Sequence, residues 1–370
     1  MGLGFGATFD TLTFTEYNRT GVRRYGSMKR IDNPPNPYVS THHEWLEPPP
    51  PVRVEVFADR SRTILSENDS PDVGFRWSVN PYRGCQHACA YCYARPGHEY
   101  LGFGAGSDFD SKLVVKPDAP RLLDAAFRAP KWTGELVAMS GVTDCYQPLE
   151  AVWKLTRQCL EVCLAFRNPV GIVTKSFLVV RDIDVLSELH RQAAAGVLFS
   201  IPFADCDTAR LVEPGAPPPE RRFEAMRRLA EAGVPVGILV APIIPGLNDR
   251  DIAALLARAA DCGATTASYI ALRLPGSVEP VFLSRLREAM PLACGRVEHH
   301  IRDVRGGKLS DARFGHRMRG EGPYWESVRQ LFELSVRRHG LDRPFRAGGG
   351  SRFRVPDAPH AQLDLPFASD

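Results

Sequence analysis

Residues 80–100 read NPYRGCQHACAYCYARPGHEY, with cysteines at 85, 89 and 92 in the spacing C-x3-C-x2-C. The stretch grows out of Trp77–Arg83, which reads as a β-strand, so the three thiols sit on a loop at a strand's carboxyl end. Thiolates are soft ligands suited to iron–sulfur clusters or zinc. A closed four-iron cluster normally takes four cysteines. Three cysteines leave one iron open, and a molecule with an amine and a carboxylate can chelate it. Zinc would need a fourth ligand, which His87 or His98 could supply. The x3 gap and the position at the top of a first strand favour the cluster.

Downstream, strand-like and helix-like segments alternate. Leu136–Val142, Val170–Thr174, Val197–Phe203, Val236–Ile244 and Ala267–Leu272 read as further strands. Helices are expected over Glu150–Phe166, Ile183–Ala194, Arg221–Ala232, Arg250–Cys262 and near Glu279–Ala289. Near-continuous apolar strands alternating with amphipathic helices indicate an α/β fold with a parallel sheet. Six such units predict an open, partial (β/α)6 barrel over residues 52–294, where Val52–Ser66 contributes a short strand or hairpin.

Around this unit the sequence divides into three further parts. Residues 1–51 form an N-terminal extension ending in the run Pro48–Pro51, a stiff spacer. Residues 295–346 form a basic helical region, with a helix expected over Tyr324–Arg338. Residues 347–370 begin AGGGS and read as a flexible tail. The segment 296–354 holds 14 Lys/Arg and 7 Asp/Glu, so in a chain of net charge +3 the remainder is slightly acidic. That asymmetry suits a polyanionic partner.

Composition narrows the class. The chain has 370 residues, 44% of them hydrophobic, enough for a large packed core. There is no basic start followed by an apolar block, and the longest apolar stretch is broken by Pro235, Pro242 and Pro245. The expectation is a cytoplasmic protein with no membrane partner. Nine cysteines, an odd count without secretory context, argue against a disulfide framework.

The cysteine segment, with Tyr91 just before the last cysteine, resembles the signature of the radical S-adenosylmethionine (SAM) superfamily. The wider set NPYRGC, YCYAR, HEYLGF and TDxYQPxE resembles that superfamily's spore photoproduct lyase-like branch. The resemblance implies a [4Fe-4S] cluster on Cys85, Cys89 and Cys92, with SAM on the open iron. It implies that Tyr91 packs on the adenine and that Ser140, Thr143 and Asp144 lie near the methionine end. It also implies that Lys175 pairs with the SAM carboxylate, Ser200 bonds the ribose, and Val240 to Pro242 border the adenine. SAM's amine and carboxylate independently call for an acid and a lysine beside them, because a buried carboxylate without a cation is costly.

Cys145 lies inside the turn TDCYQP and is a candidate hydrogen donor to a substrate radical, although the cysteine of the lyase precedes its own T-S-D run. Tyr93, Tyr100 and Tyr146 are further relay candidates. The implied activity is reductive SAM cleavage to a 5′-deoxyadenosyl radical, fed by an external one-electron donor such as flavodoxin or ferredoxin. The implied substrate is a damaged or modified nucleic acid in a lyase-like repair reaction. Arg313, Phe314, Arg317, Tyr324 and Trp325 are available to contact it. A peptide or metabolite substrate, and a non-catalytic iron–sulfur or zinc protein, are the rival readings. Finally, Gln362–Phe367 reads QLDLPF and resembles the peptide by which bacterial repair proteins dock on the sliding clamp. Its three apolar side chains are too few for a core of their own.

Overall fold

The structure is a computed structural model that describes residues 10–11, 33–39, 52–343 and 352–357. Its strands are β1 (Asp10–Thr11), β2 (Glu55–Ala58), β3 (Leu65–Glu67), β4 (Trp77–Val79), β5 (Tyr82–Arg83), β6 (Lys112–Val115), β7 (Val137–Met139), β8 (Val170–Thr174), β9 (Ala195–Ser200), β10 (Val236–Ile243) and β11 (Thr266–Ala271). The main sheet runs β11-β10-β9-β8-β7-β4-β3. Its first six members in that order are parallel, and β3 is antiparallel at the edge. A helix follows each of β7 to β11: Leu155–Phe166, Ile183–Gln192, Pro219–Glu231, Ile252–Asp261 and Val278–Ala289, the last packed on the cysteine segment. This is the expected partial (β/α)6 barrel. The alternation along β8 shows how it works: Val170 and Ile172 are buried in the core, while Gly171 and Val173 are only half-buried and line the interior. Small inward residues leave that interior unfilled.

Local sequence accounts for the departures from expectation. The run Trp77–Arg83 is not one strand: Pro81, which has no N–H, breaks it. Its second half, β5, pairs with β6 in a separate sheet ordered β1-β2-β6-β5. Consequently β2 and β3 belong to different sheets and form no hairpin. The helix expected over Glu150–Phe166 is interrupted at Lys154, whose φ is +52°. Strand β6 and the helices Ala119–Phe127, Cys206–Val212 and Pro291–Asp303 were not foreseen. Part of the N-terminal extension is anchored: Asn33 Oδ1 accepts from Gly106 N at 2.9 Å, and Asn36 Nδ2 donates to Phe103 O at 3.1 Å.

Both edges of the main sheet are engaged. The outer side of β11 is bonded by Ala271 N to Met318 O and by Ala267 N to Leu341 O. At the opposite edge the turn between β3 and β4 carries Asp72, which accepts from Gly315 N at 2.7 Å and pairs with Arg317. Arg317 also donates to Ser70. The gap between the edges is therefore spanned by side-chain bonds. Among the described residues no helix is long and apolar enough to cross a membrane.

Candidate active site

A cavity of about 1920 Å³ occupies the barrel interior. Cys85, Cys89, Cys92, Tyr91, Ser140, Thr143, Asp144, Lys175, Ser200 and Pro242 all line it. Two predicted residues do not. Val240 is fully buried in the core, and its neighbours Leu239 and Ala241 face the cavity. Cys145 is also fully buried, with its thiol 4.0 Å from Met139 O on the core side of the turn. Cys145→Ala is therefore expected to lower stability by about 1 kcal/mol, the scale of a small core truncation, and to leave the reaction products unchanged. Melting curves and product chromatography check this, and a redirected product would restore Cys145 to the chemistry.

The cysteine loop is positioned by its backbone. Gly84 has φ +72°, and a Cβ there would meet Phe109 O at 2.9 Å. Gly84 O accepts from Thr143 Oγ1 at 2.6 Å and from Gln147 Nε2 at 3.0 Å, while Gln147 Oε1 accepts from Gln86 N at 3.1 Å. Arg95, fully buried, donates to Cys89 O at 2.8 Å and to Asp110 at 2.9 Å. Arg285 donates to Ala88 O at 2.6 Å and pairs with the same Asp110. The segment after helix Cys206–Val212 lies over the loop: Gly215 N donates to His87 O at 3.1 Å, and a Cβ on Gly215 would fall 1.9 Å from Gln86 O.

All three thiols are free, and burial pushes Cys89 up and Cys92 to about 11. Among the described residues no three His, Cys, Asp or Glu side chains converge to hold a single metal ion. His98 bonds Lys112 O at 2.8 Å, and burial pushes it down to about 4, so it is neutral and already committed.

Across the cavity, Lys175 is half-buried with Nζ 2.8 Å from Ser200 Oγ, 3.7 Å from Glu213 and 5.7 Å from the Tyr91 ring centroid. Burial lowers its pKa. Glu213, fully buried, accepts from Tyr91 and is held by Arg222 at 2.5 Å. Burial raises its pKa and Arg222 opposes the rise. Asp144 is occupied by the protein: it accepts from Thr174 Oγ1 and Lys175 N, each at 2.7 Å, and lies 3.3 Å from His87 Nδ1. Burial would raise Asp144, but His87 and these donors outweigh it and hold the carboxyl at about 2. Asp144 thus ties the cysteine loop to the end of β8. Ser140, at φ +111°, donates to Val173 O at 2.7 Å.

Sequence reasoning missed Glu213, Arg222, Gln147 and the Arg95–Asp110–Arg285 group. It also misplaced other side chains. Tyr146 is fully buried on Asp182, and Tyr100 packs on Tyr38 without lining the cavity. Tyr93 lines the cavity, half-exposed, with its hydroxyl donating to Gly141 O at 2.7 Å. The supposed nucleic-acid contacts in the C-terminal region are largely committed internally. Trp325 is buried, Tyr324 bonds Asp249, Arg317 pairs with Asp72 and Arg313 with Asp311, leaving Phe314 exposed. The clamp-like peptide Gln362–Phe367 lies outside the described residues.

Residues 79–259 match the family model of the radical SAM superfamily. The chain is 38% identical to an uncharacterized protein of Mycobacterium tuberculosis over 59% of its own length and 64% of the relative's. The chain thus spans less than two thirds of that relative. An uncharacterized protein of Methanocaldococcus jannaschii is 32% identical over 53% of this chain and 71% of the relative. Among solved structures, spore photoproduct lyase complexed with dinucleoside spore photoproduct superposes with a TM-score of 0.55 at 17% identity, covering 77% of this chain and 78% of that one. A double mutant of that lyase with bound AdoMet and the dinucleoside photoproduct gives 0.54 at 18% identity, over 76% of this chain and 77% of that one. With the thiol loop at the carboxyl end of its first barrel strand, the segment 79–259 is a radical SAM superfamily domain.

Proposed function

We propose that the protein reductively cleaves SAM and abstracts hydrogen from a nucleic-acid substrate. The observation that carries the reading is the convergence of three free cysteines, half-buried Lys175 and buried Ser200 on one cavity at the carboxyl ends of parallel strands. The residues present fit the superfamily's cofactors: three thiolates for a [4Fe-4S] cluster, and an ammonium beside a hydroxyl for SAM. When bound, these groups supply a 5′-deoxyadenosyl radical on one-electron reduction by an external donor such as flavodoxin or ferredoxin.

The chain's own residues do the rest. Cys85, Cys89 and Cys92 hold the cluster. Lys175 offers its charge to the SAM carboxylate, with Glu213 and Arg222 fixing its surroundings. Ser200 offers a hydroxyl to the ribose, Tyr91 and Pro242 flank the adenine, and Ser140 and Thr143 shape the methionine end. Tyr93 and Val142, exposed while lining the cavity, form an apolar rim on which an extruded base can stack. The lyase whose fold this chain shares is solved with a dinucleoside photoproduct, which supports a nucleic-acid substrate. Such an enzyme works in the cytoplasm, and the tail QLDLPF would tether it to a sliding clamp.

The test is anaerobic assembly with iron, sulfide, SAM and dithionite, then incubation with deuterated single-stranded DNA. The expected result is 5′-deoxyadenosine carrying deuterium from the DNA. No 5′-deoxyadenosine under any condition overturns the enzyme reading. Unlabelled 5′-deoxyadenosine alone overturns the nucleic-acid substrate.

A further inference from the structure

Three hydrogen-bond donors on one part of the cavity wall are not used by the chemistry above. Arg83 lies on β5, and Lys116 follows β6 directly. In the antiparallel ladder Arg83 stands opposite Val114, and Lys116 N donates to Pro81 O at 2.9 Å. Positions two apart share a face, so the two cations are diagonal neighbours on one side of the ladder. Both line the cavity that contains the cysteines.

Among the described residues neither charged end has a hydrogen-bond or ion-pair partner. Lys116 is only 8% exposed. Burial and the Arg83 charge push its ammonium down to about 8, against the opposing pull of Asp59. A buried ammonium beside a like charge is unfavourable unless an anion joins them.

Asn80 completes the set. It is 6% exposed and lines the same wall. Its Oδ1 accepts from Val142 N at 3.1 Å, which fixes the amide orientation and leaves Nδ2 as a donor. A guanidinium fork, an ammonium and an amide N–H, with no acceptor among them, match the oxygens of a tetrahedral phosphate.

We infer that Arg83, Lys116 and Asn80 form an anion seat that takes a backbone phosphate of the substrate beside the reacting base. The inference rests on the nucleic-acid reading for the identity of the anion. A phosphate held here registers the strand, while the apolar rim at Tyr93 and Val142 receives the base.

The test uses the reconstituted holoenzyme and a fluorescein-labelled single-stranded oligonucleotide, followed by anisotropy across a salt series. Lys116→Met and Arg83→Met should each weaken binding roughly tenfold, and the salt slope should become shallower by about 0.7 per lost phosphate contact. Lys116→Arg should retain most of the affinity, and matched melting curves should show that the variants fold. An oligonucleotide with one neutral methylphosphonate at the seated position should lose affinity for the wild type and lose none further for Lys116→Met.

Wild-type binding that Lys116→Met and Arg83→Met leave intact would overturn the seat while the nucleic-acid reading stands. Weakened SAM binding with unchanged DNA binding would also overturn it. If the wild type binds no DNA but takes up inorganic phosphate through Lys116, the nucleic-acid reading fails and the seat survives for a smaller anionic substrate.

Discussion

Alanine at any one of Cys85, Cys89 or Cys92 should bring 5′-deoxyadenosine formation to background, a loss of at least ~10³-fold given the size of enzymatic rate enhancements. The reason is geometric. In the proposed cluster each thiolate would take a different iron, so none can stand in for another. Cys85 and Cys89 are buried and Cys92 half-buried on the cavity wall, where no other cysteine of the described residues lines the same space. Anaerobically reconstituted wild type should hold about four irons per chain and turn brown, and each variant should retain little iron. Cys206→Ala, on a residue away from the cavity, is the matched control. Wild-type protein carrying one zinc, no iron and no SAM cleavage would defeat the assignment.

The second large effect is expected at Asp110. This carboxylate is buried between Arg95 and Arg285, which also carry the carbonyls of Cys89 and Ala88. Asp110→Ala leaves two buried guanidinium groups without their counter-charge, and breaking a buried pair on one side costs about 3–5 kcal/mol. The melting temperature should fall by several degrees, and the protein should lose iron faster under a chelator, because the backbone that aims the thiols loosens. Asp110→Asn, which keeps the shape and part of the hydrogen bonding, should fall between wild type and Ala. A melting curve for Asp110→Ala that overlays the wild type would show that the two arginines are adequately solvated without it.

What the sequence revealed and what it hid follow from the range of the interactions. The six strand–helix units were readable because each strand carries its own apolar run. The cysteine loop was readable because its three thiols lie within eight residues. The phase of β10 was not: all of Val236–Ile243 is apolar apart from its glycine, so nothing in the pattern said that Val240 faces the helices and Ala241 the cavity. The hub at Asp110 was hidden by distance, since Arg285 lies 175 positions away along the chain. Glu213, beside a proline-rich loop, carried no local signal. The net positive count of the C-terminal segment was real, but a count says nothing about partners, and the structure gives Arg313 and Arg317 acids of their own.

The seam between the two sheet edges bears on how a long molecule would reach the interior. A closed barrel admits a polymer only by its end or by a flipped-out unit at the rim. Here the wall between the β3–β4 turn and the flank of β11 is stitched by Asp72, Ser70, Gly315 and Arg317 rather than by a strand ladder. Such bonds can break and re-form locally without unravelling the sheet. The fold is thus a clasp rather than a ring, and a strand without free ends could be laid in from the side.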